Sequence, residues 1–152
     1  MKELLTTNGK SVLLDDSDFE WASKRTWHAR NDKTAWYIVG YHPDFKKTVY
    51  LHREIMGFPN SRVDHKNRNG LDCQRDNLRL ATLDQSNANR QKPTRPTTSK
   101  YKGMYWCKRK LRWRVTVKNR FIGYFKNEED AARAYDSEAV KLWGEFAHLN
   151  FP

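Results

Sequence analysis

Apolar and polar positions alternate in short runs through the first third of the chain. Residues 4–14 read as two short strands on either side of Asn8-Gly9, a strong two-residue hairpin signal. Residues 15–24 read as a short helix with acidic residues in its first turn. Further strands are predicted at 26–30, 35–41 and 47–51, the middle one alternating Tyr37, Val39 and Tyr41 with Ile38 and Gly40. LHREIM, residues 51–56, is an apolar helical turn, and His52 within it reads as a packed structural histidine. After one apolar residue, Val63, comes Asp64-His65 and then a loop rich in Asn, Gly and Asp that runs to Asn77. Leu78, Arg79 and Leu80 read as a strand, and Thr82 with Gln85 has capping-box spacing, which predicts a helix starting near Leu83.

The pattern changes at QKPTRPTTS. Pro93 and Pro96 end the helix, and four Ser or Thr residues give residues 93–99 the composition of an extended linker. Beyond it, strands are predicted near 102–108, 112–118 and 121–125. The second puts Trp113, Val115 and Val117 on one face and Arg112, Arg114, Thr116 and Lys118 on the other. Trp106 and Trp113 read as core. Asn127 caps a helix that opens with Glu128, Glu129 and Asp130 and ends at Gly144. Ala131, Tyr135, Ala139 and Leu142 recur at helical spacing, so one face of that helix can cover the apolar face of the sheet. The expected fold class is α+β. Its parts are a β-rich region over 1–50, a strand–loop–strand–helix finger over 51–92, the linker, and a three-stranded antiparallel sheet packed on one helix over 100–152.

Charge sharpens this division. The 152 residues carry a net charge of +11. Between positions 90 and 126 stand thirteen Lys or Arg and no Asp or Glu; the rest of the chain holds the other 16 of 29 basic residues against all 18 acidic ones, a net of −2. A one-sign segment of this size points to a polyanionic partner. Cys73 and Cys107 are the only cysteines, too few for a four-cysteine zinc site and without a CxxC pair, so both read as reduced thiols in an intracellular protein. No apolar run is long enough to span a membrane, and the first residues lack a signal-peptide core.

The stretch VDHKNRNGLDCQRDNLRLATLDQSNANR, residues 63–90, resembles the HNH nuclease motif, the ββα-metal finger, in the branch found in phage and intron-associated homing endonucleases. His65 matches the family's first His and Asn77 its central Asn. The family's last motif residue, usually Asn or His, aligns with Ser86, and Asn87 is its neighbour. The resemblance implies hydrolysis of a DNA phosphodiester, with His65 as general base, Asp64 as first metal ligand and Asn77 as a brace of the loop. It implies one divalent ion, magnesium or manganese, whose helix-side oxygen comes from Ser86 or Asn87; the sequence itself shows no ligands for a structural zinc. An imidazole suits the base because its pKa lies near neutrality. A hard divalent ion with oxygen ligands suits the scissile phosphate and the leaving 3′ oxygen.

The last third resembles the plant Apetala/ethylene-response-factor DNA-binding domain, through KGMYW, IGYF, EEDAARAYD and HLNFP. That family lays its sheet in the major groove of double-stranded DNA. By position this implies contacts from Lys102, Tyr105, Arg112, Arg114, Thr116, Lys118 and Arg120; several arginines of the plant pattern are absent from the first strand, where Tyr105 and Cys107 stand. Two readings follow. One is an HNH-type endonuclease targeted by its basic module, cytoplasmic and of phage or bacterial context. The other is a DNA-binding regulatory protein with a degenerate metal site. Monomer and dimer both remain open.

Overall fold

A computed structural model describes residues 1–32, 35–92 and 97–152. Pro93 and Pro96, on which the linker expectation rests, lie outside the described residues. The chain divides into two compact units, Met1–Leu83 and Asp84–Pro152. The fold is α+β, and each pair of strands is antiparallel.

The first unit opens with β1 (Lys2–Leu5) and β2 (Ser11–Leu14), joined through Gly9 at φ 76°, a left-handed conformation that glycine adopts without steric cost. Helix α1 (Asp16–Ala22) follows. Strands β3 (Trp27–Asn31), β4 (Trp36–His42) and β5 (Lys47–Tyr50) form a three-stranded sheet in that order. Gly40 on β4 permits the close approach of Trp27, since a Cβ there would lie 2.6 Å from the indole. A short helix α2 (Leu51–Ile55) leads to the hairpin of β6 (Arg62–His65) and β7 (Leu78–Ala81).

One apolar core joins these elements. Val12, Leu14, Trp27, Ile38, Leu51, Ile55, Cys73 and Leu78 are all buried in it. Polar ties complete the join. Leu13 N–H donates to Leu71 O at 2.8 Å and Leu13 O accepts from Cys73 N–H at 3.0 Å, so β2 pairs with the β6–β7 loop. Arg75 in that loop donates twice, at 2.8 Å each, to the carboxylate of Asp18, which is buried on α1. A bidentate pair of this kind satisfies both oxygens of a carboxylate that burial alone would penalise.

The second unit takes up α3 (Leu83–Asn89) from its second residue. Strands β8 (Met104–Cys107), β9 (Arg112–Val117) and β10 (Arg120–Phe125) form a sheet with β9 in the centre. The β9–β10 turn is Lys118-Asn119, at φ 47° and 63°, the positive pair that a two-residue hairpin turn requires. Lys118 therefore stands in the turn, one residue past the strand on which the alternation places it. Helix α4 (Glu128–Trp143) is capped by Asn127, whose side chain accepts from the N–H groups of Glu129 and Asp130. Its inner face buries Ala131, Ala132, Tyr135 and Ala139 against Met104, Val115 and Val117. Leu142 is not part of that face; it is 38% exposed, and Trp143 packs instead. The step from Ala139 to Trp143 repeats the four-residue spacing from 131 to 135 to 139, whereas Leu142 falls about 100° to the side. Trp113 joins the core, while Trp106 is half-buried and edge-on to Trp113 at 5.2 Å.

Candidate functional site

Asp64 and His65 end β6, where the register sets Asp64 opposite Arg79 and His65 opposite Leu78. Both side chains are buried. Cross-strand register alone brings Arg79 to Asp64, and its Nε donates to Asp64 Oδ2 at 3.1 Å between two nearly buried groups. The adjacent loop is held by its own amides. Asn77 Nδ2 donates to Asp72 O at 2.7 Å, Asn77 Oδ1 accepts from Asn67 N–H at 3.0 Å, and Asn77 O accepts from Lys66 N–H. Asn67 Nδ2 donates to Asp72 Oδ2 at 2.7 Å. These bonds let the loop turn sharply, with Arg68 at φ 65°, next to a buried imidazole.

His65 packs in a group of rings that the sequence did not disclose. His52 of α2 stands edge-on to it at 4.9 Å between centroids, Tyr37 of β4 lies 6.0 Å away, and Cys73 Sγ is 3.9 Å from its Nε2. Tyr37 and Tyr50 also flank His52, at 5.8 and 5.3 Å. Burial lowers the pKa of His65 to about 4, against an opposing pull from the Asp72 charge. Burial, then the neighbouring His65 and Arg53, lowers that of His52 to about 3. Burial pushes the Cys73 thiol up. Near neutral pH both imidazoles are therefore uncharged and the thiol is protonated, an inert thiol beside a proton acceptor. His52 is a packed histidine, as its apolar setting predicts, but the group it packs on is His65.

Among the described residues, no three His, Cys, Asp or Glu side chains are grouped to hold a metal ion. The expected ligand in the first unit is the carboxylate of Asp64, which already accepts from Arg79. An oxygen ligand of that type suits a hard ion which keeps several waters, as magnesium does. Ser86 and Asn87 are on α3, Ser86 half-buried and Asn87 exposed. Asn89, two residues on and buried, was absent from the sequence-based ligand set.

The second unit carries the residues expected to meet DNA. Arg112, Arg114 and Thr116 share the outer face of β9, and Tyr105 of β8 lies opposite Arg114. Arg120 opens β10 and is exposed. Several of the expected contact residues are engaged by the chain itself, Arg114 with the Tyr105 hydroxyl among them. Lys102 Nζ donates to Ala88 O and Arg90 O at 2.6 and 2.7 Å, at the carboxyl end of α3, and Lys118 pairs with Asp84 at 2.6 Å. No helix among the described residues is long and apolar enough to cross a membrane.

Comparison with known proteins gives partial matches to both kinds of sequence. The chain is 38% identical over 76 residues to an AP2-like ethylene-responsive transcription factor of Arabidopsis thaliana, covering 49% of this chain and 25% of that protein. It is 45% identical over 58 residues to another such factor of Oryza sativa subsp. japonica, covering 36% and 8%. It is 37% identical over 91 residues to an uncharacterised HNH endonuclease of Acanthamoeba polyphaga mimivirus, covering 58% of this chain and 46% of that protein. The chain thus spans less than half the length of each of these relatives. No family model matches, and no solved structure matches.

Proposed function

We propose that this chain is an HNH-type DNA endonuclease of the homing class, in which the module of residues 100–152 holds double-stranded DNA and the finger cleaves it. The observation that carries the reading is the buried, uncharged His65, which follows the buried Asp64 at the end of β6 and opens a loop braced by Asn77. The partial likeness to a viral HNH endonuclease supports the nuclease half, and the likeness to AP2-like factors supports the DNA-binding half. A divalent ion, when bound, supplies polarisation of the scissile phosphate and charge for the leaving 3′ oxygen. In this reading His65 takes a proton from the attacking water. Burial keeps it unprotonated throughout the neutral range. Asp64 would hold the ion, and Asn77 keeps the loop in place. Arg112, Arg114, Thr116 and Arg120, with Tyr105, Lys102 and Lys118, meet the DNA.

A second reading is favoured by one contact. Arg79 already neutralises Asp64, as it would in a DNA-binding protein that has lost its ion. Both readings require DNA affinity, and cleavage separates them. Supercoiled plasmid is incubated with the full chain and magnesium or manganese. Open-circle product that disappears in the His65→Ala variant supports the nuclease; retention of DNA without any nicking in either metal overturns it.

A further inference from the structure

The outer face of the β8–β9–β10 sheet carries more than charge. Tyr105 and Tyr124 both stand opposite Arg114 in the register, and Phe121 stands opposite Thr116. These rings are exposed to 42%, 36% and 50% for Tyr105, Tyr124 and Phe121. The Arg114 guanidinium carbon lies 5.7 Å from the Tyr105 ring centre and 5.4 Å from that of Phe121, and its Nη1 donates to the Tyr105 hydroxyl. Phe121 and Tyr124 touch at 5.0 Å between centroids, tilted by 55°. The face therefore has an aromatic centre with one arginine clasped in it.

Phosphate binding uses cations and gives the rings no task. An apolar centre with a charged rim is instead a contact surface. Nucleic acid can use exposed rings in two ways. An unpaired base can stack on an open ring face. A paired base can touch a ring through the one apolar group in the major groove, the 5-methyl of thymine. The guanidinium of Arg114 already lies over one face of Tyr105 and one of Phe121, and those two faces are taken from an unpaired base. The thirteen basic residues without an acid between positions 90 and 126 supply the complementary charge for a duplex.

Resting on the duplex-DNA reading above, we propose that Phe121 and Tyr124, with the methyl of Thr116, recognise thymine methyl groups in the major groove, and that the clasped Arg114 faces a guanine beside them. Bidentate arginine–guanine contact is the commonest direct readout in that groove, and clasping reduces the rotamer freedom it would otherwise lose. The specificity class is thus a thymine-containing duplex core, set by aromatic rings.

The test uses the full chain without divalent ions, so that bound duplex is not consumed. A randomised duplex pool is selected for binding, and the enriched core is remade with uracil replacing each thymine in turn. At least one replacement is expected to weaken binding about fourfold, the effect of one buried methyl group. Phe121→Ala should remove that sensitivity while duplex is still bound; the side chain is half-exposed, and an unchanged melting temperature checks that the core is intact. Equal affinity for thymine and uracil at every position overturns the proposal, as does tighter binding of single-stranded oligonucleotide than of duplex. Duplex retention with no enriched sequence also overturns it, and leaves charge-driven DNA binding standing. Failure to retain DNA of any kind removes both.

Discussion

The two units place their polar chemistry in opposite surroundings. Asp64, His65, His52 and Arg79 are buried together in the first. Arg112, Arg114, Lys118 and Arg120 of the second lie on or beside an open sheet face. Burial fixes protonation states and geometry. It holds His65 uncharged and sets Arg79 against Asp64 at the cost of desolvating both. An open face gains no such control, but many cations there act at a distance on a charged partner and are screened by salt. The first environment suits a reaction at one atom pair; the second suits capture of a long polyanion. The same contrast says which perturbation should touch which unit.

The largest separation is expected from His65→Ala. Cleavage should fall by ~10² to 10⁴, the usual worth of a general base, with DNA affinity unchanged. Nicking rate and retention measured on one preparation check both halves. In the parent, the rate should stay flat as pH falls from 8 to about 5, because His65 protonates only near 4. A limb near 6.5 would place the base elsewhere. Salt should do the reverse. If about six cations neutralise phosphates, log affinity against log salt should have a slope of about −5, while stability of the fold moves little. A slope near zero in a retention titration would deny the cationic face its role.

Acid should weaken the fold itself. His52 and His65 have pKa values lowered to about 3 and 4 in the folded chain, against about 6.5 unfolded. The unfolded chain therefore takes up protons first. Stability is full above pH 6.5 and is lost as pH falls toward 4, by on the order of 2 kcal/mol per histidine at pH 5. Urea melts at pH 7 and 5 measure this, and His52→Asn should remove part of the difference. The smallest effect is local to the second unit. Asn127→Ala deletes the α4 cap and should cost about 1 kcal/mol without altering His65 chemistry.

Most elements were legible in the sequence because their signals are local. Asn8-Gly9 marks the first hairpin, alternation marks β9, and Asn127 with three following acids marks the start of α4. Asp64, His65 and Asn77 were singled out by their resemblance to the HNH motif. The ring group around His65 was not. Tyr37, His52 and Cys73 come from β4, α2 and a loop, and only tertiary packing brings them together. Arg79 could have been paired with Asp64 had the β6–β7 register been known, but the long loop between those strands leaves it unspecified. Leu142 was misplaced because both 139+3 and 139+4 are legitimate helical steps, and the larger ring at Trp143 took the core position.

The clasp of Arg75 on Asp18 has a consequence for how this protein could be recombined. The two residues are 57 positions apart, and β2 is hydrogen-bonded to the same loop. A segment of residues 51–92 transplanted into a foreign scaffold would carry the guanidinium without its carboxylate and the Leu71 and Cys73 backbone groups without Leu13. The smallest transferable cassette begins at the first strand, so inheritance of the Asp64-His65 hairpin and of the amino-terminal hairpin should go together.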